Sequence, residues 1–212
     1  MHSDNDPRVV LCLDGLAMSF LMLDGIYSGL YPSCLKLPTD NASTAAAFLR
    51  CWSFVDVAHR IREVAQAAPG LSGKNVELLK FLRETTIVEK FRNYVQHLRG
   101  ELSRKTPNTF PVWGSLSWMD ANDEHLCHIS HAGAQIGTVH HYGLIYDRLE
   151  RKWVSKVALN VDELSLNFDL IYDFYKQFQG FIVPWLLAKY APGIEVRPDL
   201  PITSIRMVLT PE

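Results

Sequence analysis

Apolar residues recur at helical spacing from Val9 to about Arg104, the pattern stops at Thr106-Pro107-Asn108, and it returns only after Asn160. Between those limits, β-branched and aromatic residues with turn signals take over. A chain that changes period in this way folds as helices, then a stretch of sheet, then one more helix. The expected class is α+β, mainly α, a helical bundle with a β-meander inserted before the last helix. At 212 residues one domain accounts for the chain. Residues 8–106 and 162–191 form the bundle, 108–161 the insertion, and 192–212, with Pro198, Pro201 and Pro211, an extended tail.

Val9, Leu13, Leu16, Phe20, Leu23 and Tyr27 put the first helix over 8–31, where Gly25 and Gly29 mark close packing or an early end. Asp40, Asn41, Ser43 and Thr44 offer caps for a second helix over 43–68, which Ala68-Pro69-Gly70 stops. A third spans 76–83. Thr86-Ile87-Val88-Glu89 has the form of a capping box and opens a fourth helix, to about Arg104. Strands are expected near 111–119, 125–131, 137–147 and 152–160, the last two joined across 147–151. The final helix, 162–190, turns Leu166, Leu170, Phe174 and Phe178 inward, and Pro184 kinks or shortens it.

Composition narrows the function. A formal charge of -2 argues against a protein that coats polyanions, which would be basic, but not against an enzyme with a few placed cations. The apolar run Leu16–Leu23 is flanked by Asp14 and Asp24 and falls short of the roughly 20 residues a membrane span needs. No span is therefore expected, and a cytoplasmic location is. Cys12, Cys34, Cys51 and Cys127 form no CxxC and read as buried thiols. P-loop, GxSxG and HExxH signatures are absent.

The fourth helix is the most informative stretch. Val88, Phe91, Val95, Leu98 and Leu102 make one apolar stripe for the core, leaving Glu89, Asn93, Gln96 and His97 on the other side with Arg92 at the border. That polar set forms a pocket only if a second surface covers it. The segment Arg92-Asn93-Tyr94-Val95-Gln96-His97 resembles the R-x4-6-H motif of the HEPN superfamily, in the form with Asn after Arg. The resemblance covers residues 86–104 as a motif, and 8–104 plus the last helix as an architecture.

What the resemblance implies is a metal-independent endoribonuclease without a cofactor, a homodimer whose motif helices face each other to form one composite site. His97 would then carry proton transfer as the ribose 2′-OH attacks the scissile phosphate, a task an imidazole suits near neutral pH. Arg92 would bind that phosphate through its planar donor fork, and Asn93 would orient groups. The setting it implies is a toxin–antitoxin or phage-defence system, with RNA as substrate and an inhibitory protein as a possible partner. Some HEPN toxins carry a modifiable Tyr two residues after the His. Here Arg99 stands in that place, which puts that control in doubt and offers a further phosphate contact.

On the second helix Trp52, Asp56, His59, Arg60 and Glu63 share one stripe. Asp56 could orient His59, or the two could brace Arg92. In the β region His125, Cys127 and His131 fall on one face of a strand, and His140 could join them across a hairpin as a metal cluster, though the spacing matches no zinc motif. Trp113 and Trp118, five apart, point to opposite faces, one of them toward the bundle. Two alternatives stay open: a non-catalytic HEPN-like module that binds RNA, nucleotide or protein, and a metal-binding interaction protein built on the histidine-rich sheet.

Overall fold

Long apolar stripes give long helices here. The computed structural model describes residues 7–37, 40–71, 73–103, 110–133 and 143–190, so the expected tail, His140 and most of the third expected strand lie outside the described residues. Helix α1 (Pro7–Cys34) runs through Pro32, and α2 (Asn41–Ala67) packs along it. The Asp40 side chain caps α2 by accepting from Ser43 N at 2.8 Å. Gly29 lies inside α1 rather than at its end, and the end of the flexible Arg50 side chain of α2 fills the space a Cβ there would take.

Helix α3 (Val76–Glu84) is capped by Asn75, whose side chain accepts from Leu78 N at 3.0 Å. Thr85 alone separates it from α4 (Thr86–Gln96). The expected capping box is not formed. Thr86 Oγ1 donates back to the Leu82 and Arg83 carbonyls, so its hydroxyl completes the end of α3 instead of starting α4. The fourth helix is also shorter than expected. It stops at His97, and α5 (Leu98–Ser103) follows directly as a separate short helix. Val88 and Phe91 are fully buried, while Leu102 at the far end of the expected stripe is exposed.

The expected meander is corrected. Strands β1 (Ser115–Met119), β2 (Cys127–His131), β5 (Val157–Val161) and β6 (Leu164–Asn167) form one antiparallel sheet in the order β2-β1-β5-β6. It is two hairpins joined through β1 and β5. Between them β3 (Tyr146–Asp147) and β4 (Lys152–Trp153) make a separate small ribbon, closed across 147–151 as expected. Alternation decides what each face covers. Leu116, Trp118, Val157, Leu159, Val161 and Leu166 face the helices. Met119 and Ala158 face the other way, onto Leu144 and Trp153.

Helix α6 (Phe168–Tyr190) starts later than expected because residues 164–167 belong to β6. Its buried face is Phe168, Ile171, Tyr175, Phe178, Ile182 and Leu186: Phe178 is buried as expected, while Ile171 and Tyr175 take the places expected of Leu170 and Phe174. Pro184 removes one rung without ending the helix. Asp169 pins the start of α6, accepting from Tyr27 Oη at 2.7 Å and from Lys156 N at 2.6 Å. By length and composition α1 is long and apolar enough to cross a membrane, against the expectation that no segment qualifies. In this fold its Leu16, Phe20 and Leu23 lie in the core, and Asp24 pairs with Lys176 Nζ at 3.0 Å. Leu11 and Leu21 remain exposed on its outer side.

Cys12, Cys34 and Cys51 are buried and Cys127 is half-buried. Burial pushes the Cys34 thiol up to about 12 and raises that of Cys51 as well. Thiolate is the reactive form. Ellman's reagent is therefore expected to find no thiol beyond that of Cys127 in the native protein and all four in urea. Two or more reactive thiols before unfolding would contradict this packing.

Candidate active site

A cation within an apolar stripe organises the groove between α2 and α4. The buried positions of α2 include Cys51, Phe54, Val55, Ala58, Ile61 and Ala65, and Arg62 lies among them with its side chain only 8% exposed. Its guanidinium donates to Leu82 O at 2.9 Å and to Thr85 Oγ1. Thr85 Oγ1 in turn donates to Phe81 O at 2.7 Å. Arg62 therefore clamps the end of α3, where carbonyls have no intrahelical donor. Its counter-ion is Glu89 from the first turn of α4, 3.6 Å from Nε.

Glu89 is shared. His59 Nδ1 lies 3.3 Å from the same Oε2. One turn toward the start of α2, Asp56 accepts from Arg60 Nε at 3.0 Å and stands 3.7 Å from Nη1 of Arg92. Of the two roles weighed for this stripe, bracing Arg92 is the one the geometry realises, through Asp56 alone. The partner of His59 is Glu89. Arg92 is held loosely: apart from that ion pair its Nε is buried and has no hydrogen-bond partner among the described residues. An unsaturated guanidinium is a poor place to stop energetically and a good place for an anion.

His59, Glu63 and Glu89 bring an imidazole and two carboxylates within 4.8 Å of one another, a donor set that could hold a cation. Arg62 already sets positive charge against Glu89 from behind.

The chain alone does not bring Arg92 and His97 together. Arg92 turns toward α2, whereas His97 stands exposed where α4 breaks. His97 has φ −106 and ψ 20, and its N–H is shared between the Asn93 and Val95 carbonyls. No hydrogen bond or ion pair joins the two side chains among the described residues. Asn93, Gln96 and Arg99 are likewise exposed, so this face of α4 and α5 is uncovered in the single chain.

The expected histidine cluster in the sheet does not assemble among the described residues. His125 lies in the turn before β2, 85% exposed beside Glu124, off the face shared by Cys127 and His131. His128 points the other way, stacked on Trp118 and 2.8 Å from Asp120 Oδ2. That contact and two backbone N–H groups hold the Asp120 carboxyl below its usual range. Trp118 is buried toward the helices; Trp113 lies in the turn before β1 rather than on the opposite face of a strand, 50% exposed and edge-on to Trp52 of α2.

Sequence reasoning missed Arg62. The available signal was an arginine at a position the apolar period reserves for the core. Compared with family models, curated proteins and solved structures, the chain gives no match.

Arg62→Ala removes the donor to the Thr85 hydroxyl, leaves the Leu82 carbonyl with Thr86 Oγ1 alone, strips Glu89 of its buried counter-ion and opens a cavity. It is expected to cost about 2–4 kcal/mol in urea unfolding. Arg60→Ala, on a side chain 68% exposed, is expected to stay within about 1 kcal/mol. Equal costs would remove Arg62 from its place as the organising cation.

Proposed function

We propose that the chain is a metal-independent endoribonuclease of the HEPN type, with RNA cut at a composite site formed by the α4 faces of two copies. The observation that carries this reading is the Arg92 guanidinium, 31% exposed and paired with Asp56 at 3.7 Å, with an exposed His97 at the end of the same helix. Phosphate is the ligand such a planar donor fork accepts best.

In the proposed reaction the ribose 2′-oxygen attacks the adjacent phosphorus and gives its proton to one His97 imidazole. The bond from phosphorus to the 5′-oxygen breaks, and that oxygen takes a proton from the imidazolium of the second copy. Arg92 offsets charge on the non-bridging oxygens. The products are a 2′,3′-cyclic phosphate and a 5′-hydroxyl. Asn93 and Arg99 supply further donors on the same face, and Glu89 and His59 keep α4 seated on α2. The family resemblance suggests a cytoplasmic toxin–antitoxin or phage-defence setting, with an inhibitory protein as candidate partner.

The test is cleavage of mixed RNA in EDTA by the purified protein, with end-group analysis and light scattering for oligomeric state. His97→Ala and Arg92→Ala are each expected to lose about 100-fold or more in rate while keeping fold and dimer. Binding of RNA without cleavage would favour a non-catalytic module instead. Activity that depends on added divalent metal would move the chemistry to His59, Glu63 and Glu89.

A further inference from the structure

One turn before Asp56 on α2 stands Trp52. Its ring packs 5.9 Å from Phe91 and nearly parallel to Tyr94 at 6.4 Å. Tyr94 lies inside the Arg92–His97 stretch. Edge-on to Trp52, at 6.3 Å, rests Trp113, from the segment that leads into β1.

That segment is fixed from several directions. Trp52 Nε1 donates to the Trp113 carbonyl at 3.2 Å, and Tyr94 Oη donates to the Val112 carbonyl at 2.9 Å. Gly114 N closes the turn onto Pro111 O at 2.7 Å. Gly114 has φ +85 and packs so tightly that a Cβ would strike the Asn160 carbonyl, so only glycine fits. Despite this rigid mounting the Trp113 side chain is 50% exposed. An indole is a large apolar surface to leave in water, and no other described residue covers its free half.

The geometry points to Trp113 as a stacking platform for a base of single-stranded RNA whose phosphates pass over Arg92. This names a substrate contact of the ribonuclease proposed above and rests on that reading. Aromatic faces accept any base, while neighbouring guanidiniums hold the backbone. Trp52 and Tyr94 join the two halves, since both touch the Trp113 segment and both belong to the helices that carry Asp56 and Arg92. Trp113 is thus a binding residue rather than a catalytic one.

The test compares two fluorescein-labelled probes of about ten nucleotides, a 2′-O-methyl oligoadenylate, which cannot be cut, and its abasic counterpart. Anisotropy titrations use the wild-type chain, Trp113→Ala and Trp113→Phe, each checked by circular dichroism and light scattering. Trp113→Ala is expected to weaken binding of the oligoadenylate by about 5- to 100-fold and leave the abasic probe unchanged. Trp113→Phe is expected to retain most of the affinity. Equal loss on both probes would make Trp113 a support for Arg92, and no loss on either would make it irrelevant to RNA. A broken dimer with unchanged binding would make it an interface residue. Each of these overturns the proposal, as would failure of the wild-type chain to bind the oligoadenylate. Cleavage of ordinary RNA by Trp113→Ala, measured alongside, reports on the ribonuclease reading separately.

Discussion

The buried Arg62 guanidinium is the interaction on which the helical half of this molecule depends. It satisfies the Leu82 carbonyl and the Thr85 hydroxyl at the junction of α3 and α4, and Glu89 answers its charge. Three helices therefore meet at one cation. A buried charge is tolerated only where a counter-ion and hydrogen bonds replace its water. That requirement fixes where Glu89 must sit, and Glu89 sets the rotation of α4. The same rotation turns Arg92 toward Asp56 and leaves Asn93, Gln96 and His97 outward. The placement of the candidate site is thus a consequence of how one arginine is accommodated.

Much of the fold is legible because periods of 3.6 and 2 are hard to confuse over long stretches. The apolar spacing from Val9 to Leu23 and the breaker at Pro69-Gly70 locate α1 and α2. Where the reading failed, a competing local interaction decided the outcome. Thr86 prefers the carbonyls behind it to the amides ahead, so no capping box forms. Residues 164–167 carry alternation and helical spacing at once, and pairing with β5 wins. That choice moves the buried face of α6 to Ile171 and Tyr175. The order of strands was not readable, since a hairpin signal fixes neighbours in sequence but not the β1–β5 pairing that closes the sheet.

The site was legible as a set of residue types and less so as a geometry. The stripe Asp56, His59 and Glu63 was found from spacing, because i,i+3 and i,i+4 neighbours share a face; Arg92 and His97 were singled out by the motif they resemble. Which carboxylate takes which cation was not, because Asp56 and Glu89 are equivalent in the sequence and differ only in depth along the groove. The outward face of His97 was legible from the period; the end of α4 at that residue was not, since no proline or glycine at position 97 announces it.

The Gly114 turn has a consequence for how the molecule comes together. The helical contacts around Arg62 span modest separations in the chain, 20 residues to Leu82 and 23 to Thr85. The turn beneath Trp113 rests on β5, where Asn160 Nδ2 reaches Ser115 O across 45 residues. Closing longer loops costs more chain entropy and slows the step. The clamp around Arg62 can therefore close before the Gly114 turn gains its seat on β5. A chain still emerging during synthesis would join α2 to α3 before the turn that carries Trp113 had a sheet to rest on.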